Sequence, residues 1–427
     1  MRREQSDITC DLMIIGAGMA GMAAALFAAN RGIDTIQVGM KSELDFSSGL
    51  LDLMAVHPIE EGRLWENPWQ AIDALVRDCP RHPYAFLDHN EMNTALSDFL
   101  DLLKQGGLPY HREPDRNVMV ITPVGTLKPT YAIPITVQNG IQALREKAAC
   151  VIIDFQGLKG FSGLQIVETL KDDWPDLHTH RVVFPKRTGV LYPEHMARSL
   201  ELPEARAQLA EAIRPHINRA GYVGLPAILG IHETKKIFDD LQEQLKRPLF
   251  EIPTMPPSIT GLRLRNIFVR QLPLSGVRTF FHHKVLKASY IAKKGFRFEV
   301  GPQETIFVVQ AKGAVLASGR FFGRGLCADR KRITETVFGL PVYQPPDRAH
   351  WHRKSFLDRK GHPINLSGLE TDDRFRPLGA NGRPAFPNLF AAGSILAHQD
   401  WKRMKCGSAL AITTAYGAVK AFERQSR

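Results

Sequence analysis

Apolar and polar residues follow two rhythms along this chain, and the clearest stretch lies near its start. Leu12 to Ile15 is a short unbroken apolar run, the pattern of a parallel strand covered on both faces. Gly16-Ala17-Gly18-Met19-Ala20-Gly21 interrupts it. Ala20, Ala23, Ala24, Ala25, Ala28 and Ala29 then predict a slender, strongly helix-forming segment. Arg31-Gly32 ends the helix, and Asp34 to Val38 predicts a second strand. Strand, glycine turn, helix and strand within about 30 residues is the order of a βαβ cofactor-binding unit. A membrane span over Leu12–Ala29, or a signal peptide behind Arg2-Arg3, competes with this reading. Both are opposed by the glycines in the first half of the run, by Cys10 and Asp11 against its start, and by the strand that follows at once.

Further along, residues 59–105 read as helical, broken at Pro68, Pro80 and Pro83. Val118 to Leu127 alternates like a strand, and Val151 to Phe155 is another apolar run, with a helix expected after Ser162. Thr234 to Lys246 carries Ile237, Leu241 and Leu245 on one side. Pro253, Pro256 and Pro257 stiffen a crossing segment, and Leu262 to Leu272 reads as a basic helix. From Val277 the strands resume as antiparallel hairpins, with Lys293-Lys294-Gly295 at a turn. Two buried strands end in small residues, Gly313 to Ala317-Ser318-Gly319 and Asn388 to Gly393-Ser394. Gly407-Ser408 then opens a long helix of small residues.

This order predicts an α/β protein: a Rossmann-like, glutathione-reductase-like flavin-binding domain with an inserted α+β domain. The expected parts are 8–58, 256–335 and 388–427 for the cofactor domain, 59–255 for the insertion, and 336–387 for a linker or cap.

The chemistry follows from the turns. In Gly16-x-Gly18-x-x-Gly21 the first glycine permits the tight turn and the second lets backbone approach a phosphate. The third lets the helix pack closely on the strand. The helix N-terminus points bare N–H groups and a positive dipole end at the ligand. Gly16, Ala17, Gly18, Met19, Ala20 and Gly21 are therefore expected to hold the cofactor. After the second strand an acidic residue ordinarily grips the adenosine ribose; this chain has Lys41, with Glu43 two residues on. A mononucleotide and a dinucleotide held differently both stay open. Ser47, Ser48 and Gly49 suit a phosphate or a flavin edge, and equally a serine cap opening a short helix. Ala317, Ser318 and Gly319 let backbone lie against a cofactor. Arg320 faces either an anionic group or a salt-bridge partner. Gly393 and Ser394 close the site, and Gly407 and Ser408 put a helix N-terminus under the flavin pyrimidine, where reduced flavin carries negative charge. Arg320 and His398 are the candidates for substrate or partner contact. Three separated segments, 10–49, 313–323 and 388–410, would thus build one site, which separates a flavoprotein from a simple nicotinamide dehydrogenase.

Composition narrows the classes. A hydrophobic fraction of 44% and a charged fraction of 23% over 427 residues are those of an ordinary protein with a large core. The net charge of +11 favours anionic substrates, acidic partner subunits or anionic lipid. With no dense Lys/Arg tail and no recognition motif, nucleic acid ranks last. Cys10, Cys79, Cys150, Cys327 and Cys406 are scattered, without a C-x-x-C. That argues against a disulfide scaffold, a zinc site or an iron–sulfur cluster on this chain alone, and fits a reducing compartment. No residue is singled out as a metal ligand; His178-Thr-His180, His282-His283 and His350-Trp-His352 read as surface or strand-end structure.

Leu44-Asp45-Phe46-Ser47-Ser48-Gly49-Leu50-Leu51-Asp52-Leu53 resembles a segment of the anaerobic glycerol-3-phosphate dehydrogenase subunit that is designated B. So do Pro226 to His232, Pro257 to Leu264, Ala317-Ser-Gly-Arg-Phe-Phe322, Leu389 to Ser394 and Cys406-Gly407. The likeness runs nearly end to end. It implies a flavoprotein with FMN, FAD being the alternative. It also implies a complex with a second flavin subunit (A) and an iron–sulfur subunit (C) that holds the assembly on the inner face of the cytoplasmic membrane. The implied reaction is oxidation of the small phosphorylated substrate sn-glycerol 3-phosphate to dihydroxyacetone phosphate, with electrons leaving towards quinone. Lys41 and Ser394 agree with FMN. Two other classes stand beside this one: a non-catalytic relay or structural subunit, and a stand-alone FAD oxidoreductase.

Overall fold

The computed structural model describes residues 7–187 and 189–426, and of residues 41–43 it describes the backbone only. The chain forms two compact units. One contains the stretches up to Glu43, Asp52–Phe99 and from Phe268 onward; the other contains Leu44–Leu51 and Leu100–Ile267. The inserted unit thus takes in Leu44–Leu51 and Leu100–Ile267, where 59–255 was expected. The segment 59–99 packs with the first unit because its side chains bond there: Tyr84 donates its hydroxyl to the Leu53 carbonyl at 2.8 Å, and Lys420 pairs with Glu91.

The first unit is built on one sheet. Its strands are β1 (Ile8–Ile15), β2 (Thr35–Gly39), β3 (Arg278–Phe281), β4 (Lys284–Ile291), β5 (Gly295–Gly301), β6 (Phe307–Leu316) and β7 (Leu389–Ala391). The order is β3-β2-β1-β6-β5-β4, with β7 also on β6. β6 changes partner midway along one edge. Phe307–Ala311 pairs antiparallel with β5, and Ala314–Leu316 pairs parallel with β7. The strands β3, β2, β1, β6 and β7 are mutually parallel. Helix α1 (Met19–Ala29) is buried from Ala20 to Ala28, which is why it lacks a polar face. The apolar run Leu12–Ala29 is thus strand, turn and core helix. Among the described residues no helix is long and apolar enough to cross a membrane. Helix α2 (Gly407–Ser426) packs on α1; Phe27 meets Tyr416 edge-on at 5.2 Å. The expected hairpins are present from Lys284 onward, with Lys293 and Gly295 at positive φ in the turn, whereas Arg278–Phe281 instead pairs parallel with β2.

The second unit holds a four-stranded parallel sheet in the order Leu249–Ile252, Tyr222–Pro226, Cys150–Phe155, Leu177–Val182. The insertion is therefore more α/β in character than α+β, its antiparallel part being two short ribbons. The apolar run at 150–155 is buried throughout, as a central parallel strand requires. Ser162 caps the helix Gly163–Leu170, accepting from the Gln165 N–H at 3.3 Å. Deep in this unit Arg263 grips Glu251 with two bonds of 2.6 and 2.8 Å, and donates through Nε to the Gly230 carbonyl. The segments 226–232 and 257–264 are thereby tied together. The burial cost of the Glu251 carboxylate is outweighed by Arg263, which with the Leu229 N–H keeps it below the usual carboxylate range.

Candidate functional site

The site residues of the first unit lie beyond the carboxyl ends of its parallel strands. Four chain segments are stitched side by side there. Gly16 donates to the Val38 carbonyl at 2.8 Å, Ala317 to Ile15 at 2.9 Å, and Ala392 to Leu316 at 3.0 Å. The spacing is so tight that side chains are excluded. A Cβ on Gly16, whose φ is +131°, would sit 2.1 Å from the Ala317 carbonyl oxygen, and one on Gly21 would sit 2.1 Å from the Gly16 oxygen. Gly18 is the N-cap of α1 in extended conformation, and no side chain caps that end or places an acid in its first turn. The first N–H groups of α1 are therefore left for an anion.

Gly393, at φ +79°, sits between the helices. Its N–H donates to Thr414 Oγ1 on α2 at 2.9 Å, and a Cβ there would come within 2.5 Å of the Ala20 Cβ on α1. The C-terminal segment is thus docked on the glycine turn of the N-terminal one. The start of α2 is partly clothed: the Trp401 ring lies against Gly407, and Ala409 donates to the Asp52 carbonyl at 3.0 Å. The Cys406 thiol beside it is pushed well up by burial, which makes it inert. Ser318 Oγ is buried and meets no partner among the described residues. An unpaired buried hydroxyl beside the Gly16 turn is what a polar ligand edge would satisfy.

Arg320 is placed differently from an arm reaching for substrate. Its Nε donates to the Ser394 carbonyl at 2.6 Å, its two terminal nitrogens to Leu396 and Gln399 at 3.0 Å each and to Asn365. Four of its five N–H groups thus hold backbone. Burial lowers its pKa to about 10, so it stays a cation. His398 sits in the loop that Arg320 clamps, at φ +63°. Its Nε2 faces Glu370 at 2.8 Å and its ring lies 4.2 Å from that of Tyr343. Burial holds this imidazole below the ordinary histidine range, against the pull of Glu370.

Ser47, Ser48 and Gly49 belong to the second unit. Ser47 Oγ accepts from the Gly49 N–H at 3.2 Å and Ser48 Oγ from Leu50 at 3.4 Å, as in serine turns; no short helix follows. Gly49, at φ +75°, leaves 2.7 Å for a Cβ before Thr260, and Ser258 donates to the Ser47 carbonyl at 2.5 Å. The side chain of Lys41 lies outside the described residues. His82 escaped the sequence reading. It is wholly buried, accepts the Tyr84 N–H on Nδ1 at 3.2 Å, and leaves Nε2 without a hydrogen-bond partner among the described residues. Only a three-dimensional count of donors reveals it, because its neighbours in sequence carry no motif.

Comparison with known proteins agrees with this geometry. The family model described as FAD binding domain matches residues 11–410. In Vibrio vulnificus (strain YJ016), the anaerobic glycerol-3-phosphate dehydrogenase subunit designated B is 31% identical over 96% of this chain and 95% of its own. The Yersinia pseudotuberculosis protein of that name is 28% identical over 95% and 96%. Among solved structures, a 3-ketosteroid delta1-dehydrogenase from Sterolibacterium denitrificans overlays with a TM-score of 0.44 at 11% identity, covering 98% of this chain and 100% of that one. The residues around α1 fit a flavin nucleotide, and the family match supports FAD, the alternative to the FMN that the resemblance implies. The chain is a flavin-dependent oxidoreductase of the FAD-binding domain family and, within it, belongs to the family of the anaerobic glycerol-3-phosphate dehydrogenase subunit designated B.

Proposed function

We propose that this chain is the subunit in which sn-glycerol 3-phosphate is oxidised to dihydroxyacetone phosphate. The observation that carries the reading is the convergence of Gly16–Gly21, Ala317–Gly319 and Gly393–Ser394 beside two helix N-termini, in a chain whose relatives bear that enzyme's name. Bound FAD would supply the two-electron acceptor for the substrate C2–H and O–H. The N–H groups of Met19, Ala20 and Gly21 would hold its pyrophosphate; Gly18 lets them approach it. Gly407 and Ser408 would offer the α2 dipole to the charge of the reduced ring. Arg320 would act as a positioning residue, fixing Ser394 to Gln399, and His398 would stand at the rim of that loop. Electrons would leave for a second flavin subunit and an iron–sulfur subunit, on the inner face of the cytoplasmic membrane.

A second reading, a flavin relay without substrate chemistry, is favoured by one observation. Arg320, directly after the Ala317–Gly319 turn, spends four of its five N–H groups on carbonyls and leaves little for a substrate phosphate. The test is to purify the chain alone, extract and weigh its cofactor, and assay dye-linked oxidation of sn-glycerol 3-phosphate. Bound FAD with turnover supports the dehydrogenase; bound FAD without turnover supports the relay.

A further inference from the structure

The segment from Trp351 to Ile364 forms a compact loop of the first unit. The Trp351 carbonyl accepts from Ile364 at 3.1 Å and closes its base. His362 braces it from inside. Its Nδ1 accepts the Arg353 N–H at 3.1 Å, so its proton is on Nε2, which donates to the Phe356 carbonyl at 3.0 Å. Arg353 Nε bonds the Gly361 carbonyl at 3.0 Å, and Arg403 reaches the Asp358 carbonyl at 3.2 Å from the segment leading to α2. A loop so tied could have folded its apolar residues inward. It does so only with Trp351, whereas Phe356 and Leu357 at the tip are 86% and 82% exposed.

Cations flank that tip along the chain. Across 329–332 and 347–360 there are eight Lys and Arg residues against three Asp. The two stretches are adjacent: Arg348 donates to the Asp329 carbonyl. The carboxylates are engaged locally, Asp329 by the Lys331 and Arg332 N–H groups, Asp347 by His350 and Asp358 by the Lys360 N–H. Lys354, Arg359 and Lys360 make no ion pair among the described residues.

We propose that this loop is a membrane-surface anchor, with Phe356 and Leu357 entering the headgroup–acyl boundary of an anionic bilayer and the flanking cations meeting lipid phosphates. Its size and shape decide between partners. Two side chains offer at most about 400 Å², half of the ~800 Å² per side that a stable protein interface needs. An exposed apolar pair flanked by Lys and Arg is the arrangement that a lipid surface accepts. Each cation near such a surface contributes about 1 kcal/mol through the leaflet potential. Nucleic acid would use the cations and gain nothing from the apex. The inference concerns this chain's own surface and does not depend on which reaction the flavin serves.

The test is co-sedimentation of the FAD-loaded full chain with vesicles of phosphatidylcholine alone or mixed with phosphatidylglycerol. Binding is expected only to the mixed vesicles, weakened by salt, and about tenfold or more weaker in Phe356→Ser/Leu357→Ser. Because both residues are exposed, that variant should keep the wild-type melting temperature. Lys354→Glu/Arg359→Glu should weaken binding too. Absence of wild-type binding to the mixed vesicles, or equal binding by the serine variant, overturns the proposal. So does a serine variant that binds vesicles normally but no longer copurifies with partner subunits.

Discussion

Gly393 approaches Ala20 so closely that a β-carbon at position 393 would lie 2.5 Å from the Ala20 methyl. Residues 373 positions apart in sequence thus meet at one wall of the proposed cofactor site, and the contact leaves no room for any other side chain. Gly393→Ala has to move α1 or the loop and also holds alanine at φ +79°. We expect a loss of about 2–4 kcal/mol in urea unfolding, from overpacking plus left-handed strain, together with a lower flavin-to-protein ratio. A variant that keeps wild-type stability and flavin content would show that this wall is soft.

Gly18 separates cofactor binding from folding. Its backbone, at φ −79° and ψ −169°, accepts any residue, and α1 lacks a side-chain cap. Gly18→Asp should therefore leave stability unchanged or raise it by about 1 kcal/mol, as an N-cap carboxylate does. The same carboxylate would occupy the N–H groups proposed to hold the pyrophosphate and would repel it. Flavin affinity, measured by titrating apoprotein, should fall at least about tenfold. Unaltered affinity would move the pyrophosphate away from α1.

His82 sets a pH dependence. Burial, with His398 and His57 nearby, pushes its pKa down to about 3. Unfolded histidine titrates near 6.5, so between those values the unfolded chain binds more protons than the folded one. Stability is then fully present above about pH 6.5 and falls on acidification, by about 1.4 kcal/mol per pH unit for this one group. Asparagine can take over the acceptor role of Nδ1 towards the Tyr84 N–H without titrating. His82→Asn should therefore flatten the slope of unfolding free energy between about pH 6.5 and 5 relative to wild type. Parallel slopes would assign the acid sensitivity to other groups.

The Arg263–Glu251 pair tests the second unit alone. Both side chains are fully buried and doubly bonded. Glu251→Leu leaves a buried guanidinium unpaired and should cost about 3–5 kcal/mol in urea unfolding, whereas Glu251→Leu/Arg263→Met should cost less than the single change. Equal or additive losses would mean that Arg263 acts mainly through the Gly230 carbonyl.

Local order was legible in the residues themselves. The turn at Gly16–Gly21, the alanine helix after it, the hairpins from Lys284 and the small-residue endings at Ala317 and Gly393 are short-range patterns, each set by sterics or periodicity within a few positions. The burial of α1 on every side explained an apolar run that composition alone could have assigned to a bilayer. Long-range choices were not written locally. Whether segment 59–99 joins the sheet or the insertion depends on Tyr84 finding Leu53, and the fate of Arg320 depends on four carbonyls contributed by residues 365–399. An isolated arginine or buried histidine looks the same in sequence whether it meets a ligand or its own backbone. Hydrogen-bond partners and burial are properties of the packed chain, so only the tertiary structure could assign Arg320 to the loop, leave Nε2 of His82 unpaired, and turn Phe356 outward.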